Sequence, residues 1–130
     1  MISTLRLIQN QILGGVLFAI ASVMIIIASI LEENIEIQKE NGGEIAYTPS
    51  PIQITLFAFG IITLATLIFA YNVTVRLNQT NLQMLTGKAK GYLRPLLWNF
   101  AGSWLFVFGA FSLLIGTKII LEEKSAIEIF

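Results

Sequence analysis

An all-α membrane protein with three transmembrane helices is the fold that this sequence predicts, and three observations predict it. Hydrophobic residues make up 55% of the 130-residue chain and charged residues 12%, about half the charged share of a soluble domain. Three stretches, Ile12 to Leu31, Ile52 to Val75 and Leu96 to Leu121, hold 20, 24 and 26 residues, with Lys118 as their single charge. The segments between them are polar and of opposite charge, acidic over 32–51 and basic over 76–95. The length suits one integral membrane domain.

The first span carries twelve Leu, Ile, Val or Phe residues. At the bilayer centre these favour insertion by roughly 4–7 kcal/mol, and no ionised side chain opposes them at about +3 kcal/mol each. Its 20-residue run exceeds the core of a cleaved signal, about 7–15 residues, so a retained helix is expected. The second and third spans are similar in composition, and all three reach the roughly 20 residues needed to cross about 30 Å of hydrocarbon. Three such segments cannot close a barrel, so helices are the one way to satisfy their backbone groups in lipid. Pro51 and Pro95 stand just before the second and third spans, where a missing N–H donor costs nothing.

Within the acidic segment, Glu32, Glu36 and Glu40 share a helical spacing and would line one edge if the first helix continues outward. Carboxylates without histidine hold hard cations weakly unless the fold supplies the geometry, so the three are weak metal candidates and are read first as a solvated helix end. Gly42-Gly43 stops any helix there, and Pro49-Ser50-Pro51 turns the chain back. In the basic segment Leu77, Leu82, Met84 and Leu85 recur among amides, and Thr86-Gly87 forms a stop. Arg76, Lys88, Lys90 and Arg94 sit at headgroup depth, as topogenic charge or as contacts to lipid or a partner.

Five of the eight basic residues (Arg6, Arg76, Lys88, Lys90, Arg94) and none of the eight glutamates fall on the side shared by the N-terminus and the 76–95 segment. The positive-inside rule makes that side cytoplasmic, giving N-inside and C-outside. Tyr71, Tyr92 and Trp98 then lie near the inner interface, while Trp104, deeper along its helix, is expected against protein or acyl chain. The sequons at Asn72 and Asn78 fall on that inner side or within a span and are read as chance matches.

Two stripes of small residues repeat every seven positions: Gly15, Ser22 and Ser29 in the first span, and Gly102, Gly109 and Gly116 in the third, with Ser112 beside them. Small residues let helices approach closely in lipid, at a spacing suited to left-handed crossings. The stripes are expected to pack the first and third helices against each other or in an oligomer. Asn99 is the most notable polar residue within a span and Asn72 is similar; on adjacent helices their amides could bond to each other.

No chemistry stands out. With no Cys, His or Asp, thiolate nucleophiles, disulfides and most zinc sites are excluded. There is no glycine loop for phosphate and no pair of intramembrane carboxylates. A net charge of zero offers no footprint for nucleic acid. The reading is a non-enzymatic protein without catalytic residues or cofactor. Its expected partners are membrane lipid and either further copies of itself or other membrane subunits.

Tyr71, Leu77, Leu93-Arg94, Asn99-x-x-Gly102, Gly109-Ala110 and Gly116-Thr117, with Leu5-Arg6-Leu7-Ile8 before the first span, form a pattern over about half the chain. It resembles the membrane core of permease-in-chloroplasts-like proteins of cyanobacteria and the chloroplast inner envelope. That resemblance implies a bacterial inner, thylakoid or inner-envelope membrane, and a role in metal-cation permeation or protein import. The family has a fourth span where three are found here, and a shorter acidic segment. Two functions follow as expectations: an accessory or assembly subunit of a larger membrane complex, or an oligomeric permease or channel.

Overall fold

The computed structural model describes residues 3–87 and 93–129, with side chains as far as Lys124. It consists of three helices, α1 (Thr4–Glu40), α2 (Pro51–Leu85) and α3 (Leu93–Ile129), and no strand among the described residues. All three are long and apolar enough to cross a membrane. The chain is therefore a three-span integral membrane protein.

Local chemistry sets the helix ends. Ser3 caps α1, its Oγ accepting from the N–H of Arg6 at 3.2 Å. At the other end the N–H of Gly43 reaches the carbonyl of Gln38 at 2.8 Å and that of Gly42 the carbonyl of Lys39 at 3.1 Å. This paired closure needs a left-handed residue, and Gly42 supplies it at φ 81°. Ser50 begins α2 through a reciprocal box with Gln53, with Pro51 in the first turn. Thr86 ends it, followed by Gly87 at φ 74°. The glycine and proline signals in the sequence thus act where they were expected to.

The helices overshoot the bilayer. At 37, 35 and 37 residues they measure about 50–55 Å, against about 30 Å of hydrocarbon. The acidic segment is accordingly not a loop throughout: residues 32–40 continue α1, and the connection is residues 41–50. The run Leu77–Leu85 likewise extends α2.

The arrangement is an open layer. α1 packs on α2 and α3 packs on α2, while among the described residues the backbones of α1 and α3 do not meet. Only 17% of the most apolar stretch of α1, 22% of that of α2 and 17% of that of α3 is buried, so the chain leaves most of its apolar surface uncovered. The central helix exposes one stripe, including Phe57, Leu64 and Tyr71. Hydroxyls within the spans bond to carbonyls of their own helix: Thr63 to Phe59 at 2.7 Å, Thr66 to Thr63 at 2.8 Å, and Ser22 and Ser112 to Phe18 and Phe108 at 2.9 Å. This is how a hydroxyl is tolerated where no water reaches.

Candidate interhelical site

Two seams on opposite sides of α2 contain the polar groups that the fold brings together. On α1 the buried residues are Leu7, Gly14, Ala21 and Ala28, one every seven positions. On α2 Ala58, Ala65 and Asn72 repeat at the same interval. The two repeats meet at Asn72, whose Nδ2 donates to the carbonyl oxygen of Leu7 at 2.7 Å. Counting one heptad at a time along the antiparallel pair, Gly14 falls opposite Ala65 and Ala21 opposite Ala58. Small residues thus face small residues, which is what close backbone approach requires. Gly14 is the tightest point: a Cβ there would lie 2.9 Å from Cζ of Phe69, whose ring tilts against Phe18 with centroids 5.8 Å apart.

Asn72 is 2% exposed. Besides bonding Leu7, its Oδ1 accepts from Nδ2 of Asn10 at 3.2 Å. One turn further, Arg76 donates to Oε1 of Gln11 at 3.3 Å. Four polar side chains thereby pin α1 to α2 at the end nearer the N-terminus. The expected bond between Asn72 and Asn99 is not formed: Asn72 faces α1, and Asn99 is exposed on α3. Both are amides within spans, but they lie on different sides of the layer.

The other seam is held by Trp104, whose Nε1 donates to Oγ1 of Thr74 at 3.1 Å, while its ring meets Phe100 edge-on at 6.4 Å. Thr63 and Ala70, on the ridge of Thr74, are buried on this side. Among the described side chains of α3, Val107, Ala110 and Thr117 are buried. Substituting Trp104 by Phe keeps the ring and removes the donor. Unfolding in mixed micelles should show a loss of about 0.6–1.7 kcal/mol, the range for interhelical bonds in lipid.

The small-residue stripes occupy the neighbouring register. Gly15, Ser22, Ser29, Gly109 and Ser112 are exposed, and Gly102 and Gly116 half-buried. A Cβ added at Gly15, Gly102, Gly109 or Gly116 would meet nothing within 4 Å. The stripes do not pack α1 against α3 within the chain, because α2 stands between the two helices.

Comparison with family models, curated proteins and solved structures finds no match to this chain.

Glu32, Glu36 and Glu40 are all exposed on the overshooting end of α1, where Glu36 pairs with Lys39 at 3.6 Å. Among the described residues no three acids converge on a common point. Arg76 is half-buried and Arg94 exposed, while Lys88, Lys90 and Tyr92 lie outside the described residues. The sequence reading missed Asn10 and Gly14. Asn10 precedes the apolar span that starts at Ile12, and Gly14 adjoins the glycine assigned to the other stripe. The detectable signal was the shared seven-residue interval of Gly14, Ala21 and Ala28 with Ala58, Ala65 and Asn72.

Proposed function

We propose that this chain is a non-enzymatic accessory or assembly subunit of a larger membrane complex. One observation carries the reading: α1 and α3 each pack on α2 alone, so the three helices form a layer that encloses no path across the bilayer. Seams of small residues and amides hold that layer together, and none of the ion pairs among the described residues is buried. Such a layer offers surface to other helices. The outward stripe of Gly15, Ser22 and Ser29 is the part of α1 best suited to receive one.

The basic residues Arg6, Arg76, Lys88, Lys90 and Arg94 support an orientation with the N-terminus and the 86–92 connection on the cytoplasmic side or its organellar equivalent. The C-terminus is then outside. The resemblance described above supports a bacterial inner, thylakoid or chloroplast inner-envelope membrane.

Particle composition after extraction in a mild detergent tests the proposal. The expected particle is larger than one chain, containing other subunits or further copies. Gly15→Leu should shrink it without unfolding the chain, since a Cβ there has no neighbouring atom within 4 Å. A monodisperse single chain from the native membrane would defeat the reading.

A second reading draws on the same resemblance and on the exposed row Glu32, Glu36 and Glu40. It is an oligomeric permease or channel for metal cations, or a protein-import component, with any path lying between chains. An intact oligomer that moves no cation in reconstituted vesicles would exclude the permease.

A further inference from the structure

A trough runs along one face of the layer, with α2 as its floor and α1 and α3 as its walls. It comprises two hollows of about 460 and 650 Å³ that share Phe18, Thr66, Gly102 and Phe106. The first hollow adds Val73, Trp98, Asn99 and Ser103; the second adds Ile62, Ala110 and Leu113. Polarity is therefore graded. The end toward the 86–92 connection carries an indole, an amide and a hydroxyl, whereas the deeper end offers Thr66, whose hydroxyl is already bonded to Thr63, among apolar side chains.

We propose that this trough seats one acyl chain of an anionic glycerophospholipid, with its phosphate held between Arg76 and Arg94. Length argues for a lipid rather than a helix. From Ile62 to Val73 on α2 and from Leu113 to Trp98 on α3 the trough spans roughly 17–22 Å. That is about one leaflet of a hydrocarbon core roughly 30 Å thick, whereas a spanning helix needs all of it. Width argues the same way. Phe18, Phe69 and Phe106 crowd the walls and floor, where a helix about 10 Å across would need small residues on both sides.

Charge fixes the polarity of the occupant. Arg76 is three residues beyond Val73 and Arg94 four residues before Trp98, so each guanidinium rises from a ridge that lines the trough. They come from different helices and stand at the same end. Arg76 uses one N–H on Gln11 and keeps others of its five for a phosphate oxygen. Asn99, about a turn and a half below the start of α3, lies at the depth of the ester groups and makes no hydrogen bond among the described residues. Among the described residues, acids are confined to the opposite ends of α1 and α3 and to residues 41–50.

Full-length protein, stripped of lipid in detergent, is examined by native mass spectrometry with palmitoyl-oleoyl phosphatidylglycerol or phosphatidylcholine. One phosphatidylglycerol should be retained per chain, preferred over phosphatidylcholine by roughly five- to thirtyfold, the effect of one to two arginines at a membrane surface. Arg94→Gln, at an exposed position, should keep lipid bound but cut the preference about fivefold. Gly102→Leu should displace both lipids, because its side chain enters the trough and meets no atom of the chain at Cβ. Ala101→Leu, one position round the helix and outside the trough, should change nothing. Equal retention of the two lipids by the unaltered protein would overturn the proposal. So would undiminished retention in Gly102→Leu, or a Gly102→Leu variant that changes particle mass but not lipid number, which would make the trough a seat for a helix. The lipid count does not rest on the accessory-subunit reading: it is read per chain, whether the chain is alone or in company.

Discussion

Gly14→Leu should be the most damaging single substitution within the spans, lowering the stability of the isolated chain by about 1–3 kcal/mol or more, the range for overpacking a close-packed contact. A Cβ at this position would stand 2.9, 3.1 and 3.3 Å from three atoms of the Phe69 ring. Phe69 can give way only by breaking its contact with Phe18 and turning into the hollow beside it. Relief would come from lifting α1 off α2, which strips the Asn72 amide of both its partners. Gly14→Ala should cost less, since the tip of a ring can tilt by a few tenths of an ångström. The comparison with Gly15→Leu is diagnostic. One residue away, a Cβ has no neighbour within 4 Å, and that change should leave unfolding in mixed detergent micelles unaltered. If Gly14→Leu and Gly15→Leu unfold alike, the α1–α2 seam is not where it has been placed.

The second large effect is expected at Asn72. Replacing it by Ala removes the bonds to Asn10 and to the Leu7 carbonyl and opens a void where the side chain was 2% exposed. The two losses together should amount to about 2–3 kcal/mol. The carbonyl of Leu7 retains its helical partner, so its share is small, and the exchange between the two amides is the term to isolate. A double-mutant cycle with Asn10→Ala does so, and should return a coupling of about 0.6–1.7 kcal/mol. A coupling near zero would mean that the two amides satisfy themselves separately. Measurements on Asn72→Leu separate packing from bonding, because that variant refills the volume without restoring the donor.

Much of this fold was legible because bilayers impose simple arithmetic. Uninterrupted apolar runs marked the spans, and Gly42, Ser50-Pro51 and Thr86-Gly87 marked three helix ends through backbone chemistry that does not depend on tertiary context. Helix length was less legible. Beyond the apolar run that ends at Leu31, nothing in Glu32–Glu40 breaks the helix, yet polar residues alone give only a conditional sign that it continues. The packing face was harder still. In a soluble protein the buried face of a helix contrasts with a charged one. Here both faces are apolar, and small residues recur every seven positions in two adjacent registers, Gly14-Ala21-Ala28 and Gly15-Ser22-Ser29. Composition favours neither register. What separates them is the position of Asn72, which forces its own heptad to face a partner able to bond it. Asn99 illustrates the converse: an amide near the end of a span can face outward, where headgroups reach it, and so does not report a neighbouring helix.

The layered arrangement also bears on how the chain is assembled. Among the described residues, the backbone of α1 packs only on α2, the element that follows it, and that of α3 only on α2, the element that precedes it. The closures required are those of residues 41–50 and 86–92, both short enough that the entropy of bringing their ends together is small. Among the described residues, the helix packing of α1 does not wait for α3. The α1–α2 hairpin, with its amide pair already made, is therefore complete once Leu85 has been synthesised, and α3 docks onto a surface that exists before it arrives.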